Sequence, residues 1–582
     1  MAETVFDPVH YNLASLLQKI ELGEIGLPDI QRPFVWKNAK VRDLFDSMFQ
    51  GFPVGYLLFW ASGGETGYSK IGVDGKQKAP NLLIVDGQQR LTSLYAVLKG
   101  VPVVREDYGT ERIFIAFRPG DSKFEVCDAA IRKDPEWLPD ISVLWSEKAD
   151  LDEVKDEFLA RLRLSREVDA EESKRIRKAI TALCNIHTYP FIALELHSQV
   201  SEEQVAEVFV RVNSKGETLN QADFILTLMS VFWDDGRKEL EQFCRQARHP
   251  AASGPSPFNH FIRPAPDQLL RVGVGLAFRR ARLEHVYSVL RGKDMETGVF
   301  SSEKRDAQFA CLKAAQTEVL DLTHWHEFLK CLVRAGYRRG NEISSQTALL
   351  YAYTLYLIGR RDFSVPLGDL RDVISRWFFM SSLTGRYANS PETTMAQDLN
   401  RLAGLSAAAD FVTVLNNIID DTFTADYWDI TLPNELATSA ARSPSLFAYH
   451  AALNLLDAKV LFSDLKVSEL FDPAIQANKA ALERHHLFPR KHLESLGIVE
   501  VRDQNQIANY ALLEWPDNIG ISDTPPCSYW PKYTAGYSQA DLDQACYWHA
   551  LPPNWENLPY ADFLVQRRKL IARVIKDGFG RL

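Results

Sequence analysis

The chain has 582 residues, 46% of them apolar and 24% charged, with a formal net charge of −10. This length calls for roughly two to four domains, and the composition is that of a folded globular protein. The acidity excludes a surface that is basic throughout, so any nucleic-acid contact must be a local patch.

Seven cysteines (Cys127, Cys184, Cys244, Cys311, Cys331, Cys527, Cys546) are scattered, with no Cys-x-x-Cys. They read as reduced, inert thiols rather than zinc ligands or disulfides. The opening MAETVFDPVHYNL lacks a basic region followed by an apolar run, and no apolar stretch reaches the length of a bilayer span. The expectation is a cytoplasmic protein with no membrane partner.

Residues 11–24 (YNLASLLQKIELGE) carry apolar residues at helical spacing and stop near Gly26. Residues 28–36 (PDIQRPFVW) cannot be helical, because Pro33 breaks a helix and restricts Arg32. Helical spacing returns over 38–50 through Val41, Leu44, Phe45 and Met48. Residues 53–60 read as a buried strand, 62–80 as a polar loop, and 81–85 (NLLIV) as a second strand.

That strand runs into Asp86-Gly87-Gln88-Gln89-Arg90-Leu91-Thr92 and a helix to about Leu98. Two readings of the turn are balanced. Asp86 as N-cap with Gln89 three residues on makes a capping box. A strand, a glycine and a helix start bearing an arginine also make an anion site. No Walker A sequence is present. A strand is expected over 188–196, then helices over 201–213, opened by Ser201 and Gln204 as a capping box, and 220–231.

From about Val231 to Ser443 helices dominate, for example over 268–290, 302–331 and 344–358, without a repeat of fixed length. Basic clusters at 279–282, 338–339 and 360–361 read mainly as solvated helix faces, and some could line a duplex. Residues 376–379 (RWFF), 385–392 (GRYANSPE) and Asp398 suit packing better than nucleic-acid contact. Residues 421–445, rich in Pro, Thr, Ser, Asp and Asn, form the candidate linker. The last helix, 561–576, carries Arg567, Arg568, Lys569 and Arg573, read as cations near a helix C-terminus rather than a basic wall.

Residues 483–529 hold the densest chemistry. His485 and His486 are adjacent, and neighbouring side chains in an extended segment face opposite ways, so one cannot duplicate the other. An imidazole can take a proton from water near neutral pH, and a divalent cation beside it can polarise a phosphate. The simplest division assigns one histidine to the metal and the other to water.

The run His485-His486-Leu487-Phe488-Pro489, with Ile507-Ala508-Asn509 and Asn518…Ile521-Ser522-Asp523…Pro526, resembles the HNH (ββα-metal) nuclease domain of GmrD-type restriction proteins. The resemblance implies His486 as general base, Asn509 as the residue orienting the catalytic loop, and His485 with Asn518 as ligands of Mg²⁺ or another divalent metal. The position before the base is often acidic in that family, and imidazole also suits softer ions than Mg²⁺.

In the first third, Ile30-Gln31-Arg32-Pro33-Phe34-Val35-Trp36, Asp86-Gly87-Gln88-Gln89-Arg90 and Phe209-Val210-Arg211-Val212-Asn213-Ser214-Lys215-Gly216 resemble the GmrS-type N-terminal domain, a ParB/sulfiredoxin-like α/β fold that binds or hydrolyses nucleotides. This implies a nucleoside triphosphate (GTP, UTP, ATP or CTP undetermined) held by Gln31, Arg32, Asp86, Gly87, Gln88, Gln89, Arg90, Thr92, Arg211 and Asn213. Arg32 and Arg211 would face the phosphates, with Gln88 or Gln89 near the hydrolytic water.

The expected architecture is α+β and multidomain: a ParB/sulfiredoxin-like α/β domain (1–235), a helical middle region (236–443) and an HNH nuclease domain (444–582). The expected function is an NTP-linked, modification-dependent endonuclease in anti-phage defence, a metal-dependent HNH enzyme with a coupled NTPase. Its partners would be double-stranded, modified phage DNA and NTP, with homodimer formation left open. The alternatives are a nucleotide-gated DNA sensor or adaptor with a degenerate HNH site, and an RNase-type abortive-infection toxin.

Overall fold

A computed structural model describes the chain apart from residues 1–3, 29–33, 62–67, 70–81, 106–108, 147–149, most of 201–231, 291, 293–300 and 474–481. The described residues are mixed α+β and mostly helical. They divide into two compact units, Met1–Arg237 and Lys238–Leu582.

In the first unit, strands β1 (Phe6–Asn12), β2 (Ile25–Pro28), β3 (Leu57–Ala61), β4 (Tyr68–Ser69) and β5 (Leu82–Asp86) come first. Two hairpins follow, β6 (Val103–Val104) with β7 (Thr110–Glu111), and β8 (Ile115–Arg118) with β9 (Lys123–Val126). The later β10 (Pro190–Leu196) joins the first five in a six-stranded sheet of order β1-β10-β3-β5-β2-β4. The sheet is mixed: β10 runs parallel to β3 and β2 to β5, while β1/β10, β3/β5 and β2/β4 are antiparallel.

The unbroken apolar runs of β3 and β5 reflect burial on both faces. Leu57, Phe59 and Ile84 point into the main core of this unit. Leu58, Trp60, Leu83 and Val85 point the other way, into a second cluster with Leu196 and Val200. Helices α1 (Leu13–Glu21), α2 (Asn38–Phe49), α3 (Gln88–Lys99), α4 (Leu151–Ser165) and α5 (Ala170–Cys184) close the main core with their apolar stripes.

The helix expected over 11–24 starts later because Asn12 caps it. Asn12 Oδ1 accepts from the Ser15 backbone N–H at 2.8 Å, and the residues before it form β1. The strand expected over 53–60 is confined to β3. The helices expected over 201–213 and 220–231 fall mostly outside the described residues.

In the second unit, the helix expected over 268–290 is two, α6 (Pro266–Phe278) and α7 (Leu283–Leu290). Arg279 ends the first with a φ of 54°. Asp321 likewise splits the stretch 302–331 into α8 (Ser302–Val319) and α9 (Leu322–Arg334), by accepting from the His324 backbone N–H at 2.9 Å. Helices α10 (Gln346–Arg361) and α11 (Leu367–Leu383) are buried over most of their length.

Members of the basic clusters serve this packing, while Arg280, Arg282 and Arg360 are exposed, as a solvated helix face would have them. Arg279 and Arg361 both pair with Asp362, and Arg361 also donates to Leu276 O at 3.0 Å. Arg339 lies over the Phe471 ring at 4.4 Å. Arg386 Nε and the Tyr387 hydroxyl both donate to the buried Asp398 carboxylate, at 3.1 and 2.8 Å, so the Gly-Arg-Tyr segment is a packing device.

The stretch proposed as a linker is instead a packed joint. A π-helical turn (Tyr427–Thr431) runs into a short helix (Leu432–Glu435), with Tyr427 and Trp428 buried. Its Pro, Thr and Asp content obscured that aromatic pair. Helix α12 (Pro444–Leu455) follows.

Candidate functional site

The residues after α12 build a strand, a loop, a second strand and a helix. Strand β11 (Leu482–His486) pairs antiparallel with β12 (Tyr510–Glu514), setting His485 opposite Ala511 and His486 opposite Tyr510. Helix α13 (Arg490–Ser495) follows the first strand and α14 (Trp515–Ile521) the second. Beneath them Leu487, Phe488, Leu513, Ile521, Tyr529, Trp555 and Phe563 form one core.

The two histidines separate as strand geometry requires. His485 is buried, and its Nδ1 sits 2.7 Å from Asn518 Oδ1. Burial lowers its pKa from 6.5 to about 4, with a further small push from His486, while the Asn518 hydrogen bond opposes the shift. It is therefore a neutral imidazole at pH 7, the form that binds metals. Its Nε2 is buried with no hydrogen-bond partner among the described residues. His486 is half-buried, and its Nε2 lies 2.9 Å from Asn505 Oδ1.

The loop carrying this pair is fixed by Asn509, which is fully buried. Asn509 Oδ1 accepts from the Phe488 backbone N–H at 2.9 Å, and its Nδ2 donates to Phe488 O at 3.1 Å and Gln504 O at 3.0 Å. The Tyr529 hydroxyl donates to Leu487 O at 2.8 Å. The structure thus brings His485 to Asn518 and hangs the residues after His486 on Asn509.

Sequence reasoning missed two participants. Asn505 Oδ1 accepts from His486 Nε2 and, at 2.9 Å, from Arg490 Nη2, so one amide joins an imidazole to an exposed cation. Its signal was an asparagine between the histidine pair and Asn509. Arg567 lies on α15 (Tyr560–Phe579) and is fully buried, donating to Ala508 O at 2.8 Å and twice to His549 O. It belongs to the interior, not to the charged end of a helix, and burial lowers its pKa. Its apolar neighbours at helical spacing were the available clue.

The donor set bears on a metal. His485 Nδ1–H donates to Asn518 Oδ1 at 2.7 Å, so the lone pair a cation could use lies on Nε2, which is buried without a hydrogen-bond partner among the described residues. Among the described residues no group of three or more His, Cys, Asp or Glu side chains could hold a metal. The described residues thus offer one imidazole nitrogen and one amide oxygen, fewer ligands than a closed structural site has.

The second candidate centre is the turn from β5 into α3. Gly87, with a φ of 94°, takes the N-cap position that the sequence reading gave to Asp86. Asp86 instead ends β5 and pairs with Arg90 at 3.3 Å. Arg90 also donates to Val54 O at 2.5 Å and Tyr56 O at 2.7 Å. Burial lowers its pKa, against the pull of Asp86. Its donors thus clamp the 52–56 loop.

Both glycines beside that guanidinium are required. A Cβ at Gly55 would stand 2.1 Å from Arg90 Nη1, and one at Gly87 would stand 2.4 Å from Leu57 Cδ2. Gln89 Oε1 accepts from the Val35 backbone N–H at 2.9 Å, joining the 34–36 segment to the turn. Arg105 holds that segment too, through Trp36 O and the Phe34 ring, and is a participant the sequence did not suggest. The Thr92 hydroxyl is buried with no hydrogen-bond partner among the described residues. Gln31, Arg32, Arg211 and Asn213 lie outside the described residues.

No helix among the described residues is long and apolar enough to cross a membrane. Compared with known proteins, the chain is 22% identical over 551 residues to an uncharacterised protein of Methanocaldococcus jannaschii, covering 89% of this chain and 86% of that one. Residues 13–230 match the family described as GmrSD restriction endonuclease, N-terminal domain. Through that domain the chain is similar to restriction endonucleases of the GmrSD type.

Proposed function

We propose that the chain is a GmrSD-type restriction endonuclease that cuts double-stranded DNA at the 482–521 strand-loop-strand-helix unit, read as an HNH ββα site. The observation that carries this reading is the separate seating of the two histidines. His485 is held neutral against Asn518, His486 is held by Asn505, and Asn509 fixes the loop between.

His486 Nε2–H donates to Asn505 Oδ1, which puts the imidazole lone pair on Nδ1, the atom that accepts the proton of the attacking water. Arg490, tied to the same amide oxygen, lies exposed where it can meet a phosphate oxygen. A divalent cation held beside His485 and Asn518 would supply positive charge to the phosphate and the departing oxygen. His485 stays neutral near pH 7, so proton competition for that position is weak.

In the first unit the proposed ligand is a nucleoside triphosphate at the first turn of α3. Gln88 and Gln89 stand there, while Gln31, Arg32, Arg211 and Asn213 are proposed through their motifs alone. Arg90 keeps the loop shaped rather than meeting the phosphates. Nucleotide binding would license cutting, and altered bases on invading phage DNA would be the trigger.

The test is plasmid and modified phage DNA cleavage with Mg²⁺ or Mn²⁺, comparing wild type with His486→Ala. Loss of at least about a hundredfold in rate is expected, since a general base contributes on this scale, with an unchanged circular dichroism spectrum. Cleavage at the wild-type rate by the variant would remove the assignment. Among the described residues no group of three or more metal-binding side chains stands near His485, which favours one other reading, a DNA sensor without cutting activity. That reading predicts metal-independent DNA binding and no nicks under any condition.

A further inference from the structure

The first unit carries a charged surface that neither candidate centre uses. Helices α4 and α5 lie side by side, and their apolar stripes (Phe158, Leu159 and Leu162; Ile176, Ile180 and Leu183) face the core. On the outer side an open trench of about 630 Å³ is lined by Arg163, Lys174, Arg177, Lys178, Thr181 and Asn185, with Ser173 and two alanines. Four cations meet there with no carboxylate in the lining, on a chain whose formal charge is −10.

Arg163 donates to Ser173 Oγ at 3.1 Å, and Arg177 pairs with Asp156 on α4. Lys174 and Lys178 are exposed and have no ion-pair or hydrogen-bond partner among the described residues. Asp156 compensates Arg177, while the charges of Lys174 and Lys178 meet no partner among the described residues. A ligand rich in negative charge would supply one.

We propose that this α4–α5 face binds the phosphate backbone of duplex DNA. Its shape decides between polyanion and small anion. Lys174, Lys178 and Thr181 recur three or four positions apart along one side of α5 and Asn185 caps its end, a stripe about 16 Å long at 1.5 Å per residue. That length runs past successive phosphates of one duplex strand and exceeds what a triphosphate presents. The lining has no aromatic ring on which a base could stack. Contacts of this kind carry no base information, so the face positions DNA and leaves recognition to other residues.

The proposal rests on the reading of the chain as a DNA endonuclease, but its test is separate from cutting. Full-length protein would be titrated against a labelled duplex of about 30 base pairs in EDTA, over about 50 to 200 mM KCl. The variants are Lys174→Gln with Lys178→Gln, and Lys174→Glu with Lys178→Glu. Both positions are exposed, so folding is expected to survive. The neutral pair should lower the slope of log affinity against log salt by about two and weaken binding about tenfold near 100 mM salt. The charge-reversed pair should weaken it further.

A neutral pair with the wild-type slope and affinity would overturn the proposal. So would a loss of labelled-ATP binding with duplex binding intact, which would make the trench a nucleotide site. A reduced slope in a protein that never nicks DNA would leave the binding face standing and remove the nuclease reading instead.

Discussion

Asn509 satisfies three backbone groups of its neighbours with one side chain, so shortening it should be costly. Asn509→Ala would strand the Phe488 N–H and C=O and the Gln504 C=O in a dry interior. We expect a stability loss of about 3 to 5 kcal/mol, measured by urea unfolding, together with loss of cleavage. Wild-type stability would show that the loop does not depend on it.

His485 and His549 make a second, independent case. Burial holds both pKa values down to about 4, and each has one ring nitrogen unsatisfied among the described residues. An unfolded histidine takes up its proton near pH 6.5, but these two resist until about pH 4. Their contribution, on the order of 3 kcal/mol each, is therefore complete above pH 6.5 and declines as pH falls toward 4. His549→Gln should flatten the pH dependence of the urea midpoint across that window, and an unaltered slope would count against it. At the proposed base, Asn505→Asp places a carboxylate beside His486 and should move the acid limb of the cleavage profile to higher pH. A profile superimposable on the wild type would separate Asn505 from His486.

At the scale of elements, the β5–α3 turn depends on two residues without side chains. Gly87→Ala meets both a left-handed φ and the buried Leu57, and should lower the stability of the first unit by about 2 to 3 kcal/mol in thermal unfolding. An unchanged melting temperature would mean that the turn relaxes.

This turn also shows how far sequence reasoning reaches. Strand, glycine and helix were legible, because apolar runs and helical periodicity report local geometry. The capping assignment to Asp86 failed, because a tertiary partner, Arg90 with its two backbone carbonyls, competed for that carboxylate. The same limit split the helices expected over 268–290 and 302–331, where single residues, Arg279 and Asp321, end one helix or open the next. In the C-terminal unit the resemblance to the HNH domain implied Asn509 as the residue that orients the loop. Asn505 and Arg567 did not stand out, because their roles consist of contacts with residues 19 and 59 positions away.

For the molecule as a whole, the proposed function joins two compact units with different chemistry. If nucleotide at α3 licenses cutting, phage DNA cleavage by the wild type should rise on adding NTP. Gln89→Ala, which removes the tie to Val35, should hold cleavage at the nucleotide-free level. Equal response to NTP in both proteins would detach that turn from control of the reaction.

The cation sealed beneath the candidate cutting centre has a consequence for synthesis. Arg567 braces Ala508 from 59 positions further along the chain. On the proposed function, a chain that ends before Arg567 would lack this brace, so the candidate site would assemble only after its last helix is made.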